Sequence, residues 1–167
     1  MVIWIIGLSG SGKTYLAKKL IKKIKGKKIL IDGDVVRKYI TYDLRYSKKD
    51  REKNSIIISD LCRFLESQGF TVICSILSIF LKHQRRNRRV FNKYFQIYLR
   101  SNLLLLKKRN NKKVYSKKNN VVGESIKFPI PVKNDMVIEN NFKSYDTRIL
   151  NKIFKRINEI KRNKRKN

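Results

Sequence analysis

Acidic residues are scarce in this chain. Its 167 residues include 42 Lys and Arg but 12 Asp and Glu, which gives a formal net charge of +30 at pH 7. Such an excess is typical of proteins that bind nucleic acids or other polyanions. The cations lie in almost every segment, together with many Asn and Ile, which indicates a bias of the whole composition rather than one patch. We therefore expect small anionic molecules as partners, attracted by the positive field, and no nucleic acid or membrane partner.

Cysteine and histidine are also rare. The chain has 2 Cys and 1 His, without the paired spacing of a zinc site or a disulfide framework. Cys62 and Cys74 fall within apolar patterns, so both are predicted to be small buried side chains. His83 lies in a strongly basic stretch and is predicted to be a solvated surface residue.

Long hydrophobic runs are absent, since none approaches the ~20 residues that a membrane span needs. The first run, residues 2–6, has no basic segment before it and is followed at once by a glycine-rich loop. It therefore indicates a buried strand rather than a signal peptide. We expect a soluble, cytoplasmic protein with one domain over residues 1–160 and a basic tail over 161–167.

The most informative stretch is residues 7–14, Gly-Leu-Ser-Gly-Ser-Gly-Lys-Thr. It matches the phosphate-binding loop and stands between an apolar run and a helical pattern, as that loop requires. Its backbone N–H groups and the dipole of the following helix would hold a polyphosphate. Lys13 would reach the β- and γ-phosphates of ATP, and the Thr14 hydroxyl would bind Mg²⁺. The predicted ATP-binding residues of this loop are Gly7, Ser9, Gly10, Ser11, Gly12, Lys13 and Thr14.

Short apolar runs alternate with helical patterns along the chain. Buried strands are predicted at residues 2–6, 29–31, 71–77, 94–99 and 136–138, and helices at 14–24, 55–66, 82–93, 101–108 and 149–160. This alternation predicts an α/β P-loop kinase fold, in which helices cover both faces of an open parallel sheet. The helix at 82–93 contains Arg85, Arg86, Arg88 and Arg89 and is predicted to form a basic lid over the site.

Two carboxylates, Asp32 and Asp34, follow the second predicted strand with a glycine between them. Because the carboxyl ends of parallel strands share one edge of the sheet, both would face the phosphate loop. The same residues would also suit a simple turn, but a phosphoryl acceptor needs a carboxylate near the γ-phosphate. Arg37, Arg51 and Asn54 would bring two cations and an amide to a second anionic group, on the acceptor.

A series of motifs beyond the phosphate loop resembles the adenylyl-sulfate kinase family over residues 2–139. The matching positions are 7–14, 32–37, 43–47, 50–51, 54, 77–78, 86, 88, 112, 114–115, 128–131 and 135–138. The resemblance implies transfer of the γ-phosphate of ATP, with Mg²⁺, to the ribose 3′-hydroxyl of a nucleotide with a modified 5′ group. Members of the family commonly form dimers, so a homodimer is a further implication.

The resemblance also implies roles for individual residues. Asp34 would orient or deprotonate the 3′-hydroxyl, Asp32 would support Mg²⁺, and Tyr46 would stack on the acceptor base. Ser78 matches a serine described in the family as a phosphoserine intermediate. We favour direct transfer, in which Ser78 only forms hydrogen bonds, because loose in-line transfer depends on positioning. The acceptor would also be bound by Arg37, Arg51, Asn54, Leu77, Ser78 and Lys112, and ATP by Arg109.

The chain departs from the family pattern mostly on the acceptor side. Arg45 and Lys113 stand where the family has glycine, and Ile79 stands where it has proline. Val121 stands where the family has the phenylalanine that closes the second side of the adenine pocket. Since stacking is worth ~1–3 kcal/mol per base, this change disfavours adenine.

Alternative acceptors stay open on the sequence alone. A small branch of the family looks like cytidine diphosphoramidate kinases, which act on a cytidine nucleotide in bacterial capsule modification. The altered base wall tilts our expectation slightly toward that acceptor, with adenylyl sulfate as the alternative. A nucleic-acid-directed kinase or binding protein is a remote third possibility, and it would show steep salt dependence.

Overall fold

The structure, a computed structural model, describes residues 1–109, 113–116, 119–142 and 147–162. Within these ranges five strands form one sheet: β1 (Val2–Ile6), β2 (Lys28–Asp32), β3 (Thr71–Ile76), β4 (Tyr94–Arg100) and β5 (Met136–Glu139). Their order across the sheet is β2-β3-β1-β4-β5. Every pair of neighbours is parallel, so the carboxyl ends of all these strands lie at the same edge.

Helices cover both faces of the sheet. They are α1 (Lys13–Lys23), α2 (Gly33–Tyr39), α3 (Lys48–Ser67), α4 (Leu81–Val90), α5 (Leu103–Arg109) and α6 (Thr147–Arg162). One apolar cluster joins the sheet to α1 through Leu20 and to α6 through Ile153. A second cluster, on the opposite face, joins it to α3 through Ile58 and Cys62. The predicted α/β architecture, an open parallel sheet with helices on both faces, is confirmed.

The central strand β1 positions the phosphate loop. All of its residues are buried, with Ile3 and Ile5 in the first cluster and Trp4 and Ile6 in the second. A strand that is apolar on both faces is typical of the middle of a covered parallel sheet. Because β1 ends directly before Gly7, the loop emerges at the centre of the carboxyl edge.

Two helix starts differ from the sequence prediction. Helix α3 begins at Lys48, well before the predicted residue 55, because Ser47 caps it by accepting a hydrogen bond from the Asp50 N–H at 3.1 Å. Helix α2 was not predicted, and Asp32 caps it by accepting from the Asp34 N–H at 2.9 Å. Both are N-caps in which a side-chain oxygen receives a free backbone N–H.

The prediction that His83 is a solvated residue is wrong. Its side chain is buried at 7% exposure, with ring Nδ1 3.1 Å from Ser55 Oγ. On the same face of α4, the Asn87 amide oxygen accepts from Ser59 Oγ at 2.6 Å. The basic stretch is thus a helix whose inner face is polar and packed on α3. The net charge of the stretch does not indicate that this face is buried. Cys62 and Cys74 are both buried free thiols.

The carboxyl-terminal helix reaches further than expected. It ends at Arg162, so the first two residues of the predicted basic tail belong to α6, and residues 163–167 lie outside the described ranges. No helix in the described part of the chain has the length and apolar content needed to cross a bilayer.

Candidate functional site

A cavity of about 470 Å³ opens at the carboxyl edge of the sheet, beside the phosphate loop. Its walls come from the phosphate loop, α2, the start of α3, the end of β3, Val114 and residues 119–122. The structure brings many of the predicted site residues together there, namely Ser9, Lys13, Thr14, Asp32, Asp34, Arg37, Tyr46, Arg51, Asn54 and Leu77.

Glycines shape the phosphate loop. Gly10 and Gly12 have φ angles of 75° and 89°, in the left-handed region that disfavours other residues. At Gly7 a Cβ atom would lie 2.6 Å from the carbonyl oxygen of Leu99, so a side chain does not fit. The Lys13 ammonium donates to the Leu8 carbonyl oxygen at 2.7 Å. The lysine therefore lies folded over the loop, where a polyphosphate would sit.

Side chains from distant segments hold the outside of this loop. The Tyr115 hydroxyl donates to the Ser9 carbonyl oxygen at 2.9 Å. The Asn140 amide, after β5, donates to the Ser11 carbonyl oxygen at 2.7 Å. Both bonds use carbonyl oxygens of the loop, so neither occupies a backbone N–H group that could bind an anion.

The Asp32 carboxylate is held at both of its oxygens. Its Oδ2 accepts hydrogen bonds from Thr14 Oγ1 at 2.6 Å and from Ser75 Oγ at 2.8 Å. Its Oδ1 accepts from the Asp34 N–H at 2.9 Å. Burial disfavours the charged form, but hydrogen bonds from Thr14, Ser75 and the backbone outweigh it and lower the pKa of Asp32 below its usual value. Asp32 is therefore ionised at neutral pH.

The oxygen atoms of Thr14 and Asp32 determine whether Mg²⁺ fits beside the phosphate loop. A threonine hydroxyl and an ionised carboxylate lie within hydrogen-bond distance of each other beside the phosphate loop. Hard oxygen donors of this kind, together with phosphate oxygens and water, are the ligands that Mg²⁺ prefers. The residues present fit the ion.

Two guanidinium groups lie against the ring of Tyr46 on the acceptor side. The Cζ atoms of Arg37 and Arg51 are 4.9 Å and 5.3 Å from the ring centroid. Arg51 also donates to the carbonyl oxygens of Tyr46 at 3.0 Å and Asn120 at 2.9 Å. Burial, together with the nearby charge of Arg37, lowers the pKa of Arg51. An anionic group placed between the two arginines would relieve this repulsion.

The remaining walls are less charged. Asn54 is buried, and its amide oxygen accepts from Thr41 Oγ1 at 2.6 Å. Val121 is 2% exposed and presents an aliphatic surface to the cavity. The wall where the family pattern has an aromatic ring is therefore built here from valine.

Several predicted site residues lie elsewhere. Ser78 is 1% exposed and is not among the cavity residues; its Oγ accepts from Gln84 Nε2 at 3.4 Å. Arg109, at the end of α5, stacks with its Cζ 4.3 Å from the ring centroid of Phe142. Lys112 lies outside the described residues.

Two of the predicted lid arginines, Arg86 and Arg88, form ion pairs away from the cavity. Arg86 donates to Asp60 Oδ1 of α3 at 2.8 Å, and Arg88 donates to both carboxylate oxygens of Asp135. Neither arginine borders the cavity. Arg86 and Arg88 thus connect α4 to α3 and to the segment before β5.

Ser75 is a site residue that sequence reasoning missed. It is the penultimate residue of β3 and pairs in register with Asp32 of β2. In the sequence it is hidden within a long apolar run. The available signal was a hydroxyl near the carboxyl end of an otherwise apolar strand, next to the strand that ends in Asp32.

Comparisons with known proteins identify the family. The family model described as adenylylsulphate kinase matches residues 1–139. Adenylyl-sulfate kinase of Halothermothrix orenii is 28% identical over 149 residues, covering 84% of this chain and 80% of that protein. Cytidine diphosphoramidate kinase of Campylobacter jejuni is 32% identical over 148 residues, covering 84% and 86%. The fold matches an APS kinase of Mycobacterium tuberculosis, solved in complex with AMPPNP and APS, with a TM-score of 0.79, 22% identity and 97% coverage of each chain. The chain belongs to the adenylyl-sulfate kinase family of P-loop phosphotransferases.

Proposed function

We propose that the protein transfers the γ-phosphate of ATP to the ribose 3′-hydroxyl of a nucleotide with an anionic 5′ group, and that this acceptor is adenylyl sulfate. The observation that carries the proposal is one cavity that joins the phosphate loop to the arginine pair beside Tyr46. A triphosphate and a second anionic nucleotide would meet there, at the carboxyl edge of the sheet.

The donor half of the cavity would hold ATP. Gly10 and Gly12, both with positive φ, would turn backbone N–H groups toward the β- and γ-phosphates, and Lys13 would add a positive charge at their outer oxygens. Thr14 and Asp32 would hold Mg²⁺, which neutralises charge on the β- and γ-phosphates. Catalysis by these groups is electrostatic, because phosphoryl transfer needs charge stabilisation and alignment more than covalent help.

The acceptor half would orient the second nucleotide. Its charged 5′ group would bind between Arg37 and Arg51, and its base would lie along Tyr46, with some adjustment of the guanidinium groups. Asp34, in the first turn of α2 and among the cavity residues, would accept the proton of the 3′-hydroxyl. The proton moves to Asp34 as the hydroxyl oxygen bonds to phosphorus and the bond to the ADP oxygen breaks.

A second acceptor, cytidine diphosphoramidate, is favoured by one observation. Val121 lines the cavity where an aromatic ring would close an adenine pocket, and the loss of one stacking surface weakens a purine more than a pyrimidine. The similarity to the Campylobacter jejuni enzyme supports the same candidate. Adenylyl-sulfate kinases, among them the Halothermothrix orenii relative, support adenylyl sulfate.

The experiment is a parallel assay of ADP release from ATP and Mg²⁺ with each acceptor, with the product identified by mass. Turnover of adenylyl sulfate with phosphate on the 3′-oxygen is expected. Turnover confined to the cytidine compound would replace the proposed acceptor while keeping the reaction. No transfer to either nucleotide would overturn the proposal, and added RNA serves as a control that should not change the rate.

A further inference from the structure

We propose that Ser75 is a positioning residue that holds the Asp32 carboxylate in the orientation required for Mg²⁺-dependent nucleotide binding. This inference rests on the proposed function, because it concerns the nucleotide-binding half of the same cavity.

The geometry around Ser75 is specific. Its hydroxyl donates to Asp32 Oδ2 at 2.8 Å and lies 3.4 Å from Thr14 Oγ1. Ser75 is 2% exposed and belongs to the cavity wall. Asp32 Oδ1 is fixed independently by the Asp34 N–H. Ser75 thus holds the second oxygen of the Asp32 carboxylate, from the neighbouring strand.

Ser75 and Thr14 both donate a hydrogen bond to Asp32, but only Thr14 is assigned a second role. Thr14 would turn its hydroxyl oxygen toward Mg²⁺ when the nucleotide binds, so its bond to Asp32 belongs to a group with another task. Ser75 sits on a buried strand whose register with β2 sets it directly beside Asp32. The serine would therefore keep Oδ2 in place when the Thr14 hydroxyl turns away, because Ser75 is fixed on a strand and is assigned no other ligand to turn toward.

The surroundings give a reason for a serine at this position. All of β3 is buried, and Cys74 and Ile76 on either side of Ser75 belong to an apolar cluster. A buried hydroxyl costs free energy unless it is hydrogen-bonded, and an ionised acceptor gives a stronger bond than a neutral one. Side chains that orient a metal-binding carboxylate typically change metal affinity by about 10- to 100-fold when removed.

The test is binding of AMPPNP, a non-hydrolysable ATP analogue, measured by calorimetry with Mg²⁺ and with EDTA. For Ser75→Ala, the affinity with Mg²⁺ should fall by about 10- to 100-fold, while the affinity in EDTA should change by less than about 2-fold. Ser75→Cys, which keeps the volume but is a weak donor, should show the same selective loss. Ser59→Ala, which removes another buried hydroxyl, on α3, should leave both affinities unchanged.

Three outcomes would overturn the inference. In the first, both Ser75 variants bind with wild-type affinity in Mg²⁺, so the carboxylate needs no such support. In the second, they lose affinity equally with Mg²⁺ and EDTA, or only lower the melting temperature, so the hydroxyl serves packing. In both cases the wild-type dependence on Mg²⁺ stays intact and the proposed function stands. If the wild-type protein binds AMPPNP without any Mg²⁺ dependence, the inference fails together with the assignment of Mg²⁺ to Thr14 and Asp32, and the transfer assay decides separately on the proposed function.

Discussion

Arg88 binds Asp135 in a bidentate ion pair, with Nη1 3.1 Å from Oδ1 and Nη2 2.9 Å from Oδ2. The same carboxylate accepts from the Gln96 N–H at 2.7 Å. The pair joins the basic helix α4 to the segment that precedes β5 and to β4. Arg88, which was predicted to lie over the phosphates, thus connects elements within the body of the domain.

We predict that Arg88→Ala destabilises the protein without affecting catalysis. The loss of paired charge-assisted hydrogen bonds should lower the free energy of unfolding by about 1–3 kcal/mol, measured by urea denaturation. The ratio of ATP hydrolysis to phosphate transfer should stay unchanged. Arg89→Ala, which removes the same charge from an exposed position on α4, should change the stability by less than about 0.5 kcal/mol. A higher ratio of ATP hydrolysis to phosphate transfer in Arg88→Ala would contradict this prediction and support a role for Arg88 in a lid.

Lys13→Ala should abolish turnover while the protein stays folded. The lysine ammonium would stabilise charge that develops on the transferring phosphoryl group, and the removal of one such donor costs about 10²–10³-fold or more in kcat. The comparison is Lys18→Ala, on the exposed side of α1, which should keep its rate. Circular dichroism checks the fold, and residual transfer near the wild-type rate would contradict the role of Lys13.

Asp34→Asn tests the proposed base. The substitution keeps the size of the side chain but removes the proton acceptor, so kcat should fall by about 10²–10⁴-fold. AMPPNP affinity should stay close to wild type, because Asp34 is assigned to the acceptor rather than to ATP. Asp60→Asn, on α3, provides a control for charge. A fall in ATP affinity with an unchanged kcat would move Asp34 to the metal-binding group.

Val121→Phe should shift the acceptor preference toward adenine. A new aromatic wall would stack on the base with ~1–3 kcal/mol, which corresponds to about 5- to 150-fold in affinity. The measurement is kcat/KM for adenylyl sulfate and cytidine diphosphoramidate, whose ratio should rise in favour of adenylyl sulfate. Val121→Leu enlarges the side chain without a ring and should leave the ratio near wild type. An equal gain with leucine would attribute the effect to volume.

His83 should make stability depend on pH. Burial disfavours the imidazolium; Glu52 on α3 favours it, whereas Lys82 and Arg86 oppose it, and the pKa lies below the ordinary 6.5. The unfolded chain therefore takes up this proton at higher pH than the folded chain does. Stability is fully present above pH 6.5 and declines as the pH falls through 6.5 toward the folded pKa.

The measurement for His83 is the free energy of unfolding from about pH 8 to about pH 5, compared with His83→Gln. Wild type should lose more stability than the variant across this interval, because the glutamine binds no proton. Parallel stability curves for wild type and His83→Gln would contradict the prediction, because they would show that protonation of His83 does not destabilise the folded protein.

The sequence was most informative where local rules dominate. Strands β1 and β3 were predictable because each is a short, fully buried apolar run, and the phosphate loop was predictable because Gly10 and Gly12 serve a backbone shape. The arrangement of Asp32 and Asp34 beside that loop followed from the shared edge of parallel strands. Each of these inferences needs only neighbouring residues or the order of elements.

What the sequence did not reveal depends on packing between distant segments. The polar inner face of α4, including His83 and Asn87, finds its partners on α3, and periodicity of apolar residues cannot detect it. Ser78 was assigned to the site by motif, but its hydroxyl faces Gln84. Ser75 reaches Asp32 only through the register of β3 on β2. Cross-strand register and helix contacts supply this information.

The hydrogen bond from Arg51 to the Asn120 carbonyl makes the two halves of acceptor recognition interdependent. Asn120 directly precedes Val121, so the cation proposed to bind the 5′ group is tied to the wall proposed to face the base. A nucleotide that draws Arg51 toward its 5′ end would pull on that wall, and a different base would alter the reach of the arginine. Energies of substitutions at Arg51 and Val121 should therefore not add, and selectivity for base and 5′ group would evolve together.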